Sequence, residues 1–186
     1  MNAADGVRDR DLHERIVALD ADRGSYPIGK LEAHRRNVPH LAVSIFVFRG
    51  ERLLLQRRAT TKYHSGGLWA NTVCSHPRWG ESVAACAARR LQEELGWATP
   101  LREFGRVEYE ADVGGGLHEN EHVHCFVGAI DEHRDTGGFD PDEVAEVAWL
   151  TIPEILARLQ RTPEAFTAWF RLYLSEHRPL ILSLLD

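Results

Sequence analysis

Between Asn71 and Gly96 the chain reads N-T-V-C-S-H-P-R-W-G-E-S-V-A-A-C-A-A-R-R-L-Q-E-E-L-G, setting a thiol and an imidazole just ahead of a run rich in Ala, Arg and Glu. The composition of residues 81–95 predicts a helix. Gly96 stops it, because glycine adopts the left-handed backbone that ends helices without steric cost. Cys74 and His76 stand two apart, so on extended backbone both point to one side. Arg90 and Glu94, four apart, share a helical face and can offer a guanidinium and a Mg-binding carboxylate to one diphosphate. The same spacing also allows an ordinary surface ion pair.

Around this segment the pattern is β-rich first and helical last. Residues 14–20 and 41–48 carry the β-branched and apolar content of strands, and 52–56 follow the Gly50-Glu51 turn as a hairpin partner. Residues 102–111 and 119–130 predict two strands joined by Gly114-Gly115-Gly116, and 143–150 a further short strand. Residues 131–142 read as an exposed loop. Residues 151–160 and 163–176 read as helices, the second capped by Thr162 with Pro163 in its first position. This order predicts one α/β (α+β) domain over residues 1–186, a mixed sheet covered by helices, with no repeat or linker to divide it.

A chain of 186 residues can bury a core without disulfide staples. Cys74, Cys86 and Cys125 have no metal-finger spacing and would leave one thiol unpaired after any disulfide, which suits a reducing, cytoplasmic setting. A net charge of −6 without a basic run argues against nucleic acid as a partner. An anionic substrate therefore needs local Arg, Lys or metal. Residues 1–12 are polar, lack the apolar core of a signal peptide and are expected to be poorly ordered. No run of about 18 apolar residues is present to span a membrane.

The helix carries most of a Nudix box: Glu81, then Arg89, Leu91, Glu93, Glu94, Gly96 and Trp97 in that family's spacing. Two positions depart. Ser75 stands where the box opens with Gly, and Arg90 stands where a metal-binding Glu belongs, which weakens a pyrophosphohydrolase reading. With N-T-V-C-S-H-P ahead of the box and H-E-N-E at 118–121, the chain resembles the type 1 isopentenyl-diphosphate isomerases, a Nudix-fold family that shuttles a proton. The resemblance runs from Lys30 to Trp169 and takes in Pro39-His40-Leu41-Ala42-Val43-Ser44, Gln56-Arg57-Arg58-Ala59, Gly67-Leu68-Trp69 and Phe166-Thr167-Ala168-Trp169.

The resemblance implies interconversion of isopentenyl and dimethylallyl diphosphates through a species like a tertiary carbocation. It makes Cys74 and Glu121 the proton-transfer groups on opposite sides of the carbon tail, with Tyr109 beside Glu121 and the Trp169 indole facing the developing cation. It makes Lys30, Arg58, Lys62 and Arg90 substrate ligands, and Glu94 with the Cys74 backbone carbonyl the Mg²⁺ site. It places His34, His40, His76, Glu119 and Glu121 on a second divalent metal, for which mixed nitrogen and oxygen donors favour Mn²⁺ or Zn²⁺. Strand alternation agrees in part: Glu119 and Glu121 fall on one face, His118, Asn120, His122 and His124 on the other, and Arg57 points away from Arg58. Ser65-Gly66 and Ala70 depart from the family pattern in the loop before Cys74, which bears on substrate fit. Two other readings stay open from sequence: a Nudix hydrolase using Glu93 and Glu94, and a Nudix-fold binding protein without turnover.

Overall fold

The computed structural model describes residues 13–22 and 24–182; the polar segment 1–12 lies outside them. The elements are β1 (Arg15–Leu19), β2 (Ser25–Gly29), α1 (Lys30–Arg35), β3 (His40–Arg49), β4 (Arg52–Arg58), β5 (Trp69–Ala70), β6 (Val73–Ser75), α2 (Val83–Leu95), β7 (Arg102–Gly114), β8 (Leu117–Ala129), β9 (Val144–Thr151), α3 (Ile152–Arg161), a 3₁₀ turn (Pro163–Ala165), α4 (Ala168–Ser175) and α5 (Arg178–Leu182). All strands join one mixed sheet.

β3 organises that sheet. It is apolar on both faces, with Ala42, Val43, Ile45, Phe46 and Val47 all buried, as a strand covered on both sides must be. It pairs in parallel with β8 and antiparallel with β1, β4 and β6. One face packs on Trp169, Phe170, Tyr173 and Leu174 of α4, the other on Cys86, Ala87, Leu91 and Leu95 of α2. Each fully buried Leu contributes about 1.5–3 kcal/mol of hydrophobic stabilisation.

The predicted strands are all present, and several run further. β7 and β8 reach Gly114 and Leu117 because Gly115 (φ 65°) and Gly116 (φ 74°) supply the two positive-φ positions of a tight hairpin turn. Two elements have weak local signals. β2 is an edge strand that tolerates Pro27 because it pairs only with β1, and α1 is six residues long with Lys30, Leu31, Ala33 and His34 buried. β5 precedes Cys74, and Cys74 is the middle residue of β6.

Two helix boundaries differ from expectation. α2 starts at Val83, where the Ser82 hydroxyl accepts from the Ala85 amide, while Glu81 stays outside and takes a forked contact from Arg89 at 2.7 and 2.8 Å. The predicted helix over 163–176 is broken. Thr162 does not cap it: its amide and hydroxyl both donate to the Arg158 carbonyl, so Thr162 closes α3 instead. Phe166 is extended, bridges Trp69, and is followed by a Thr167 amide that donates to the Trp69 carbonyl at 2.9 Å. A sheet contact more than 90 residues away in sequence outweighs local helix propensity, and it seats Trp169 at the start of α4.

Candidate active site

Strand register assembles the site. His40 lies opposite Glu121 in the β3–β8 ladder, Glu121 opposite Tyr109 in β7–β8, and Ser44 opposite Cys74 in β3–β6. α1 adds Lys30 and His34, four apart on one buried face. Cys74, His76, Tyr109, Glu119, Glu121 and Trp169 line one cleft together with Lys30, Arg58, Lys62 and Arg90. Among the described residues, the sequence-predicted groups thus converge.

Cys74 is boxed by hydrogen-bonding groups. Its thiol donates to Asn71 Oδ1 at 3.0 Å, an oxygen whose direction is set because Asn71 Nδ2 donates to the Ile45 and Val73 carbonyls. Ser44 Oγ lies 3.3 Å from the sulfur and 2.7 Å from the Tyr173 hydroxyl. Burial drives the Cys74 pKa far up, reinforced by the Glu121 and Glu119 charges and opposed by Ser44 and Asn71. The thiol is therefore protonated at neutral pH.

Glu119 and Glu121 share one clamp, and their pKa values are pushed in opposite directions. The Tyr109 hydroxyl reaches Glu119 Oε2 at 2.7 Å and Glu121 Oε2 at 2.6 Å. Burial pushes both carboxyls up. For Glu119, the neighbouring Glu121 charge adds to it; for Glu121, the His40 and His76 imidazoles outweigh it and hold the group well below the usual carboxylate range. Burial also raises the Tyr109 phenol well above its ordinary value, with Glu119 and Glu121 adding to the shift. His76 Nε2 lies 2.8 Å from Glu121 Oε1 and His40 Nε2 3.7 Å.

The histidines fit a metal. His34 Nδ1 meets the Lys30 carbonyl at 2.8 Å and His40 Nδ1 the Val38 carbonyl at 2.7 Å, so each ring donates from Nδ1 and keeps its Nε2 lone pair. Both Nε2 atoms are buried without a hydrogen-bond partner. Donor atoms of His34, His40, His76 and Glu121 lie within 4.8 Å of one another. Burial lowers His34 well below the usual imidazole value and His76 to about 4, which keeps both neutral, the form that ligates. Glu119 groups instead with His34 and His64. His64 was not anticipated from sequence, where it carries no spacing signal. His122 and His124 face the other side, against Glu108 and Glu103.

The cations are mostly held by carboxylates. Lys30 lies 3.2 Å from Glu14, Lys62 2.6 Å from Glu143, and Arg90 2.7 Å from Glu94 and 3.3 Å from Glu143. The Arg90–Glu94 pair is buried, so the surface alternative does not hold. Glu143, a buried counter-charge, was also missed from sequence. Arg58 has no carboxylate partner among the described residues; it donates to the His64 carbonyl, and its guanidinium lies 5.2 Å from the centre of the Trp169 ring. Gln56 Nε2 donates to Glu94 Oε2 at 2.9 Å and leaves its own Oε1 buried without a hydrogen-bond partner. Arg57 points outward to Glu146 at 2.8 Å, as strand alternation predicts.

Comparison with known proteins places the chain in a family. The NUDIX domain family matches residues 38–170. The isopentenyl-diphosphate Delta-isomerase of Dinoroseobacter shibae is 52% identical over 164 residues, covering 87% of this chain and 92% of that protein. The protein of the same description from Rhodobacter capsulatus is 47% identical over 171 residues, covering 91% and 97%. Among solved structures, DR0079 from Deinococcus radiodurans superposes with a TM-score of 0.68 over 88% of this chain and 96% of that one, at 17% identity, which speaks to the fold alone. The chain belongs to the NUDIX domain family and, within it, to the isopentenyl-diphosphate Delta-isomerases.

Proposed function

We propose that this chain interconverts isopentenyl diphosphate and dimethylallyl diphosphate. One observation carries the chemistry: a thiol kept protonated and a carboxylate kept ionised line a cleft that also holds Lys30, Arg58, Lys62 and Arg90. The reaction itself is supported by relatives of that description at 47–52% identity over most of their length.

In the forward direction Cys74 gives its Sγ proton to the terminal methylene carbon of isopentenyl diphosphate. The alkene pair forms the new C–H bond and leaves a tertiary cation at the third carbon. Glu121 takes a proton from the second carbon, and that C–H pair becomes the new double bond. The protein is left with a thiolate and a carboxylic acid, and proton exchange restores both. Ser44, within 3.3 Å, can donate to the thiolate. The Trp169 face supplies roughly 0.5–2 kcal/mol to the cation, and burial excludes water that would trap it.

His34, His40, His76, Glu119 and Glu121 would hold a divalent ion, Mn²⁺ or Zn²⁺ by their donor mix, and Glu94 with the Cys74 carbonyl a Mg²⁺. The first ion would tune the acidity of Glu121, and the second would screen diphosphate charge. The partner is thus a small-molecule diphosphate, and the three free thiols support a reducing, cytoplasmic setting.

Proton NMR of isopentenyl diphosphate incubated with the protein, Mg²⁺ and Mn²⁺ in deuterated water tests this reading. Dimethylallyl diphosphate carrying deuterium should appear with the wild type and not with Cys74→Ala. Unchanged substrate under full metal loading, or release of phosphate from nucleoside diphosphate compounds instead, would reject it.

A further inference from the structure

We propose that His64 is a ligand of the metal held by His34, His40, His76 and Glu121, making the centre a four-histidine site closed from the Glu119 side. The inference rests on the metal-holding role proposed above.

His64 sits in the loop over residues 59–68 between β4 and β5, whose ends are tied where the Gly67 amide donates to the Arg58 carbonyl at 3.0 Å and the Arg58 amide to the Leu68 carbonyl at 2.9 Å. Ser65 adopts φ 52°, and a Cβ on Gly66 would come within 2.8 Å of the Thr60 carbonyl, so the loop backbone beside His64 is closely packed. The side chain is buried, and its ring centre lies 5.5 Å from that of His34, close to the 5.0 and 5.1 Å that separate His34 from His40 and His76.

The contacts repeat across the site. His64 Nε2 lies 3.7 Å from Glu119 Oε1, as His40 Nε2 lies 3.7 Å from Glu121 Oε1. That separation is too long for a hydrogen bond. It falls between the ~3.0 Å and ~4.2 Å expected of neighbouring and opposite donors about 2.1 Å from one ion. Tyr109 holds the Oε2 atom of each carboxylate and leaves each Oε1 turned to its histidine.

His34 decides how many ions are involved. It belongs to both donor groups, and its Nδ1 is taken by the Lys30 carbonyl, so Nε2 alone is left. One imidazole nitrogen carries one lone pair and binds one metal. Glu119 is already a ligand by resemblance, so the second group is read as the other side of the same shell, joined at His34, with His64 as the member that neither spacing nor resemblance supplies.

Titration of the metal-free full-length protein with Co²⁺, followed by its visible ligand-field bands, tests this with His64→Ala, His64→Gln and His40→Ala. Both His64 variants should lose at least roughly 10-fold in Co²⁺ affinity and shift the bands. Wild-type affinity and bands in them, with binding lost in His40→Ala, would overturn the His64 assignment and leave the metal site standing. Unchanged binding in all three would overturn both. X-ray absorption of the Zn²⁺-loaded wild type reads the shell without any substitution: four imidazoles support the assignment and three overturn it. Weakened binding of inorganic diphosphate with unchanged Co²⁺ binding would make His64 a phosphate contact and also overturn it.

Discussion

Arg90 Nη2 donates to Glu94 Oε1 at 2.7 Å inside the protein, so the two groups that would serve the diphosphate and its Mg²⁺ are hydrogen-bonded to each other. Glu143 and Glu93 complete the ring of carboxylates around that guanidinium. Burial works against the charge on Arg90, but Glu94 and Glu143 outweigh it and raise the pKa above its ordinary value. Arg90→Glu, which rebuilds the Nudix box, would leave these carboxylates facing one another. Removing one partner of a buried pair costs about 3–5 kcal/mol. A loss of that size in urea unfolding, with weaker diphosphate binding, is expected; wild-type stability would mean the pair contributes nothing.

Cys74→Ala and Glu121→Gln should each abolish turnover while leaving the fold intact by circular dichroism. Near-normal rates in either variant would remove that residue from the proton path.

The Tyr173–Ser44–Cys74 chain predicts a measurable effect on the thiol. With the Cys74 S–H donated to Asn71 Oδ1, the Ser44 hydroxyl is free to donate to sulfur while accepting from Tyr173. Ser44→Ala removes that donor and should raise the thiol pKa further, slowing iodoacetamide alkylation at pH 8–9 about 10-fold, as one lost hydrogen bond to a charged group of about 1.5 kcal/mol implies. An unchanged alkylation profile would show that the serine does not support the thiolate.

Burial, aided by the Arg58 charge and opposed by Glu143, lowers Lys62 from 10.5 to about 8. The unfolded chain then binds more protons than the folded one between pH 8 and 10.5, so stability rises across that window and carries the full penalty below it. Activity moves the other way. The ammonium is the form that would grip diphosphate under the proposed role, so kcat/KM should fall as pH rises through about 8, and Lys62→Arg should move that limb upward. A flat profile from pH 7 to 10 in the wild type would contradict the role of Lys62.

Gly96 ends α2 at φ 77°, and a Cβ there would come within 2.6 Å of the Gly138 carbonyl oxygen. Gly96→Ala should cost about 1 kcal/mol for the left-handed backbone alone, and more for the backbone clash. Gly96→Asn, normally tolerated in that conformation, should be no better, because the clash remains. Chemical denaturation of both variants reads this directly.

The sequence by itself determined what is periodic or local. The α2 run with its Gly96 stop, the alternation that puts Glu119 and Glu121 on one face and turns Arg57 away from Arg58, and the glycine turn between β7 and β8 all follow from spacing within a few residues. The motif Cys74-Ser75-His76-Pro77 and the altered box named the chemistry by resemblance. What tertiary structure alone decided is pairing across long separations: His40 beside Glu121, Lys62 and Arg90 on Glu143, Ser44 under Cys74, and the Trp69–Phe166 bridge that breaks the last helical run. His64 belongs with these, because its turn carries no metal-ligand spacing and meets Glu119 only through the closed sheet. Propensity and periodicity are sums over neighbours in the chain, whereas these contacts are set by strand register between segments up to about 100 residues apart, which no local pattern encodes.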